Sequence, residues 1–291
     1  MSSDTQAGNG RLDEVLERTI RDIDIPPRPT IIDRICHEVR QELPNFKLIS
    51  QQIGADVSLA AGLIKTVNSP YFGCRSRCRS VQEALLMLGL DATSRAIAAI
   101  SLRQAFPGSA HYERFWQASA RIASLSGWLA QIVRKPGLRA DDAYTYGLFR
   151  DCGIVILLRR FPDYMATLDR ANHEAERAFT DVEIEVLPTN HSVIGSLLAQ
   201  NWWLPEEISL AIRYPHDRDA IEHFESGLPA ASRYLVAASQ TAEHILQHVS
   251  GGSYTEEWRK LGPSCLRLLG LDPAALSELY EGGAAVMRSN D

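Results

Sequence analysis

Three arginines, Arg75, Arg77 and Arg79, stand at every second position of a short stretch broken by Pro70, Gly73 and Ser76. Guanidinium groups crowded on one loop can grip a phosphate or a carboxylate through paired N–H donors, so this loop is a candidate contact for an acidic partner or ligand. A solvated basic loop would look the same, and it is the plainer reading. Cys74 and Cys78 flank two of these arginines with three residues between them and no second pair elsewhere, which reads as two free thiols and not as a zinc knuckle. His244 and His248 lie one helical turn apart and could form a metal pair, but with no third ligand nearby except Glu243, which points elsewhere on the helix, an exposed polar helix face is the better expectation. No glycine-rich phosphate loop, G-x-S-x-G elbow or Cys–His nucleophile pattern is present.

These residues must be positioned by helices. From residue 11 onward the apolar spacing is helical, as in Val81, Ala84, Leu85 and Leu88, and again in Ile122, Leu125, Leu129 and Ile132. Segments ending at Gly54, Gly73, Gly89, Gly137, Gly251 and Gly270 read as helix stops, and Pro162, Pro205, Pro263 and Pro273 as markers near helix starts. Ser80 with Glu83 forms a capping box for the helix that follows the basic loop. The expected fold is all-α, about a dozen short helices joined by tight turns.

Leu48 to Val67 scans like a helix-turn-helix, with Gly54 in the turn and Asp56 capping the second helix. That second helix runs through Val57, Leu59, Ala60, Ala61, Leu63 and Ile64. It is too apolar to read bases, so an ordinary helical hairpin is expected and DNA contact is disfavoured. Trp202–Trp203 before Leu204–Pro205 reads as core filling and a helix start rather than a stacking platform.

Composition narrows the classes further. The 291 residues carry 30 Lys and Arg against 36 Asp and Glu, a net charge of −6, which argues against a uniformly basic nucleic-acid binder. The charge is uneven: residues 1–108 hold 13 basic and 12 acidic side chains, the remainder 17 and 24. The first part therefore offers a modest positive patch. Five cysteines, an odd number, argue for reduced thiols, and a polar, acidic start with no long apolar run points to a cytoplasmic protein with no membrane span.

Ile25-Pro-Pro-Arg-Pro29, Asn68-Ser-Pro-Tyr-Phe-Gly73 and Ser80-Val-Gln-Glu-Ala-Leu-Leu-Met-Leu-Gly89 resemble the HDOD family, the HD-related output domains of bacterial signalling proteins. The resemblance runs from about residue 25 to 218. It implies two helical bundles, an N-terminal one over 25–108 and a larger one over 109–218 related to the HD phosphohydrolases. A tail and first helix over 1–24 would precede them, and a helical extension over 219–291, free to cover the domain or to make a homodimer, would follow.

An HD hydrolase needs His and Asp ligands from several helices around a divalent metal. Against that pattern this chain has Arg150 where the resemblance places a histidine, followed by Asp151. Ala118 stands near the place of another metal-ligating histidine, while His191 is retained and Pro215–His216 replaces a histidine pair. The resemblance thus implies a degenerate pocket of Asp151, His191 and His216, with no catalytic residue, no metal and no other cofactor. Gly153 and Gly195 are expected to allow close helix contacts. The function expected is a non-catalytic regulatory module working through a protein partner, with Arg75, Arg77 and Arg79 as contacts. The alternatives are a reduced metal-dependent phosphohydrolase, or a regulator that binds a small anionic nucleotide through the basic loop.

Overall fold

A computed structural model describes residues 23–72, 77–108, 110–223, 227–252 and 254–290. Among these residues every regular element is helical, so the chain is all-α. The first bundle comprises α1 (Thr30–Val39), α2 (Phe46–Gly54), α3 (Val57–Val67) and α4 (Val81–Ala105). The second begins with α5 (Ala110–Val133), α6 (Ala140–Phe149), α7 (Cys152–Arg160), α8 (Tyr164–Asn172), α9 (Phe179–Ile184), α10 (His191–Asn201) and α11 (Glu206–Arg213). It is continued by α12 (Arg218–Glu222), α13 (Ala230–Ser250), α14 (Glu257–Leu269) and α15 (Pro273–Asn290).

Side-chain caps set several helix starts. Asn45 accepts from the Leu48 amide, Asp56 from Ser58 and Leu59, and Asn190 from Val193. The expected box at α4 is present: Ser80 Oγ accepts from the Glu83 amide, and the Glu83 carboxylate reaches back to the Arg79 amide. The α2–α3 hairpin buries Ile49, Ile53, Leu59 and Leu63 against α4, which accounts for its apolar sequence without a base-reading role.

Three expectations need correction. Gly89, at φ 72° and ψ 176°, does interrupt the helix as expected, but a second helical segment resumes at once at Leu90, so α4 is two segments joined at a kink and not one helix followed by a loop. Pro263 lies inside α14 and not near its start; buried Leu261, Cys265 and Leu269 carry one apolar stripe across the proline. Ile132 is exposed although Ile122, Leu125 and Leu129 of the same stripe are buried. Bent α4 is also the one described helix long and apolar enough to cross a membrane, and its buried side packs against α1, α2 and α3.

Motif residues shape the α3–α4 link and fasten the two bundles through it. The Asn68 side chain clamps Cys78 by two 2.8 Å hydrogen bonds, one to its amide and one to its carbonyl. Tyr71 stacks on Tyr144 of α6 at 4.3 Å, and a Cβ on Gly127 of α5 would fall 2.2 Å from its ring. On the other side, the Trp202 indole N–H donates to the Pro26 carbonyl at 3.0 Å, and Arg28 donates to the Asn201 carbonyl at 2.5 Å.

The helices after residue 218 share the second bundle's interior. Leu235 and Val236 of α13 and Leu261 of α14 lie in the main core, while α15 covers α5 and α13 through Leu279 and Met287. Gly282 and Gly283 press against Trp128 and Ile245, where a Cβ would meet ring or side-chain atoms at 2.5 and 2.4 Å.

Glycine contacts supply a stability test. A Cβ on Gly147 would lie 2.6 Å from the Ala123 Cα, and backbone cannot swing aside. Gly147→Ala is expected to cost roughly 2–3 kcal/mol in chemical denaturation. Gly54→Ala, with nothing within 4 Å, should be neutral or stabilising by up to about 1 kcal/mol. Equal midpoints for the two variants would contradict the close approach of α5 and α6.

Candidate functional site

Two consecutive residues, Arg150 and Asp151, make the whole link between α6 and α7. The next helix turn carries Gly153, whose hydrogen faces the first turn of α10. A Cβ there would sit 2.0 Å from the His191 carbonyl oxygen, and one on Gly195 of α10 would meet Cys152 Sγ at 3.2 Å and the Gly153 amide at 3.3 Å. The expected close contact at these two glycines is present. It sets Asp151 beside His191, the first residue of α10. His216 enters from the link between α11 and α12.

The three residues named by the sequence therefore meet. One ligand atom from each of Asp151, His191 and His216 lies within 4.8 Å of the other two. The imidazoles face each other with Nε2 atoms 3.2 Å apart, and Phe179 stacks on His216 at 5.0 Å. Each Nδ1 is held by a buried carboxylate: His191 by Glu183 at 2.8 Å and His216 by Glu257 at 2.6 Å. Tyr164 donates its hydroxyl to Glu183, and Lys260 pairs with Glu257.

Arg150 points inward and is almost wholly buried. Its Nε donates to Asp151 Oδ2 at 2.8 Å and its Nη2 to Glu243 Oε2 at 2.6 Å, with Ser239 Oγ at 3.4 Å from Nη1. Glu243 and Ser239 come from α13 and Glu257 from α14, so the second-bundle pocket is completed by helices beyond residue 218.

The charges explain the protonation pattern. Burial raises the Asp151 carboxyl, but Arg150 and then His191 outweigh it and hold the pKa below the usual range. Burial likewise opposes ionised Glu183 and Glu257. His191 holds the first low, and His216 with Lys260 brings the second down to about 2. Burial disfavours the His191 imidazolium, yet Glu183 and Asp151 lift its pKa above the ordinary histidine value. Glu243 moves up because burial exceeds what its share of Arg150 returns. The facing Nε2 atoms complete a chain from Glu183 through His191 and His216 to Glu257 in which every ring nitrogen has a partner. Burial also raises the Cys152 thiol, so it is not a thiolate nucleophile.

Two imidazoles and a carboxylate are the donor types of a three-ligand cation site. The surroundings do not fit a catalytic one. A guanidinium already occupies one oxygen of Asp151, the two imidazole nitrogens are bonded to each other, and both rings are buried, so a metal would have to displace contacts the side chains already make. A groove of about 520 Å³ reaches only the His216 and Glu257 edge of the cluster.

The other candidates lie apart from this pocket. Arg77 and Arg79 are exposed, and Arg75 and Cys74 fall outside the described residues. Cys78 is a free, buried thiol. His248 is exposed as expected, but His244 is partly buried and both rings pack on aromatic neighbours. His244 stacks on Trp258 at 4.1 Å and bonds the Tyr280 hydroxyl at 2.8 Å, while His248 stacks on Tyr280 at 3.7 Å. The pair is part of an aromatic ladder joining α13, α14 and α15. Trp202 is core, as expected, but Trp203 is exposed at φ 58°, with Arg28 over its ring at 3.7 Å. Glu183, Glu243 and Glu257 were not legible as site residues. The one available signal was a carboxylate embedded among apolar helix positions.

A sequence profile of the HDOD domain matches residues 25–218. The chain is 27% identical over 197 residues to an uncharacterized protein of Treponema pallidum, a match covering 67% of this chain and 38% of that protein. A shorter match, 29% over 69 residues, joins it to the uncharacterized protein YuxH of Bacillus subtilis and covers 17% of that protein. The chain thus spans well under half the length of these curated relatives. Among solved structures it resembles a Shewanella amazonensis protein with a provisional phosphohydrolase name (TM-score 0.65, 20% identity, 94% of this chain and 97% of that one). It also resembles an HDOD domain protein of unknown function from Geobacter sulfurreducens (0.56, 22%, 88% and 93%). A third is a Marinobacter aquaeolei protein provisionally named for signal transduction (0.63, 22%, 98% and 64%). At these identities the likeness is one of fold.

Two measurements probe the site and the ladder. Arg150→Met leaves Asp151 and Glu243 buried without their cation and should cost roughly 3–5 kcal/mol in urea denaturation, with part of the loss recovered by adding Glu243→Gln. His244 is held neutral, its pKa lowered to about 4 by burial and by His248. The folded state therefore resists the proton that the unfolded chain takes up near 6.5, and stability present above that pH is lost as pH falls toward 4. Between pH 6.5 and 5, wild type should lose stability relative to His244→Phe; parallel curves would show that the stacked ring is not held neutral.

Proposed function

The chain belongs to the HDOD domain family, and on that premise we propose that it is a non-catalytic regulatory module of a bacterial signalling system. It acts in the cytoplasm through contact with a protein partner, or through a change in the relative orientation of its two bundles. The observation that carries this reading is the Arg150 guanidinium fixed between Asp151 and Glu243. A permanent cation neutralises the carboxylate that a hydrolytic metal would need, and repels a dication from the same place. The pocket then serves as a charged keystone that ties α6, α7, α10 and α13 together. Exposed Arg77 and Arg79 suit contact with an acidic surface, to which Arg75 adds by sequence.

A second reading, a metal-dependent phosphohydrolase with a reduced site, is favoured by the convergence of Asp151, His191 and His216 within 4.8 Å. The names of the structural neighbours divide between the two readings, one a provisional phosphohydrolase and one a provisional signal transduction protein.

Turnover separates them. With excess Mn²⁺ and bis(p-nitrophenyl) phosphate, the wild-type chain is expected to release no more nitrophenol than Asp151→Asn. Metal-saturable release that disappears in Asp151→Asn would overturn the regulatory reading and establish the hydrolase.

A further inference from the structure

A groove of about 560 Å³ opens between the two bundles and shares no lining residue with the histidine pocket. Its walls come from α1 and α4 on one side, and from the start of α6, the α10–α11 turn and the start of α13 on the other. The size and the position between two packed units are those of small-molecule sites.

Trp203 forms part of the wall. The Leu204 amide donates to the Ala199 carbonyl at 2.9 Å, so Trp203 occupies the left-handed position that ends a helix and that normally belongs to glycine. At φ 58° a bulky side chain is strained there. The strain serves no core contact, since the residue is 47% exposed. It holds a flat indole at the groove, backed by Arg28 at 3.7 Å, with Arg40 at 5.4 Å from the ring.

The polar lining has donors to spare. Arg40, Arg95 and Arg139 converge from α1, α4 and the start of α6. Arg95 reaches Asp142 at 2.9 Å, but its buried Nε has no hydrogen-bond partner. Arg139 approaches Asp142 only at 3.8 Å, and Arg40 makes no ion pair among the described residues. Asp91 and Glu207 add acceptors without a cation of their own among those residues, and Ser94 adds a hydroxyl. A site for a simple anion would not keep free carboxylates. A ligand with an aromatic face, a donor-bearing edge and an anionic end matches the whole set.

We propose that the inter-bundle groove is a binding site for a nucleoside phosphate, its base stacked on Trp203, its phosphate held by Arg40 and Arg139, and its base edge or ribose hydroxyls bonded to Asp91 and Glu207. Because the ligand touches both bundles, binding fixes their relative orientation. This assignment does not depend on whether the histidine pocket is catalytic.

Isothermal titration of the full chain with AMP, GMP, CMP, UMP and, separately, inorganic phosphate tests it. At least one nucleotide should bind at one site per chain, and phosphate alone should bind far more weakly. Trp203→Gly suits the left-handed backbone, so the fold is kept while the stacking face is lost; affinity should fall roughly ten-fold or more. Arg40→Ala/Arg139→Ala should weaken binding and flatten its salt dependence. No binding by any of the nucleotides at millimolar concentration overturns the proposal. So does unchanged affinity in a folded Trp203→Gly protein, or phosphate binding as well as the nucleotides do.

Discussion

The pocket depends on one buried guanidinium. Arg150 bridges Asp151 and Glu243, and through them it joins the α6–α7 link to α13. Four carboxylates, Asp151, Glu183, Glu243 and Glu257, are drawn into this interior, and Arg150 and Lys260 are the fixed cations that face them. The carboxylates Glu183 and Asp151 also act on His191, which explains why its pKa rises despite burial. Removing any one member leaves its partner charged in a poorly solvated place, so the cluster stands or falls as a unit.

Close packing, as well as charge, holds the cluster together. Gly153 and Gly195 let α7 and α10 approach to backbone contact, and that approach sets Asp151 against His191. Gly147 does the same for α5 and α6. The Asn68 clamp holds the α3–α4 link in shape, Tyr71 in that link fixes the first bundle on α5 and α6, and the Ile25-Pro-Pro-Arg strap is fixed on Trp202. Of the motif residues that carry the family resemblance, Pro26, Arg28 and Tyr71 are therefore fasteners between bundles, while Asn68, Ser80 and Glu83 shape the first bundle.

Much of this was legible in the sequence, for identifiable reasons. Helical periodicity, the Ser80–Glu83 box, the Asp56 cap and the glycine contacts are local or patterned, and they reappear in the structure. Asp151, His191 and His216 came from family resemblance, and the fold unites them. Their carboxylate partners did not show because pairing between α7, α9, α13 and α14 is tertiary. Glu243 could be placed off the His244–His248 face, but nothing local aimed it at Arg150. Pro263 misled because a buried stripe outweighs a proline's local cost, and Trp203 misled because its backbone is in the region where glycine is expected.

The central claim is that a protein cation stands where a metal would act. Diffraction from crystals grown with manganese, recorded at the metal's absorption edge, tests it directly. The account predicts density for the Arg150 guanidinium between Asp151 and Glu243 and no anomalous peak among Asp151, His191 and His216. A peak at bonding distance from both imidazole Nε2 atoms, with Arg150 displaced from Asp151, would contradict it.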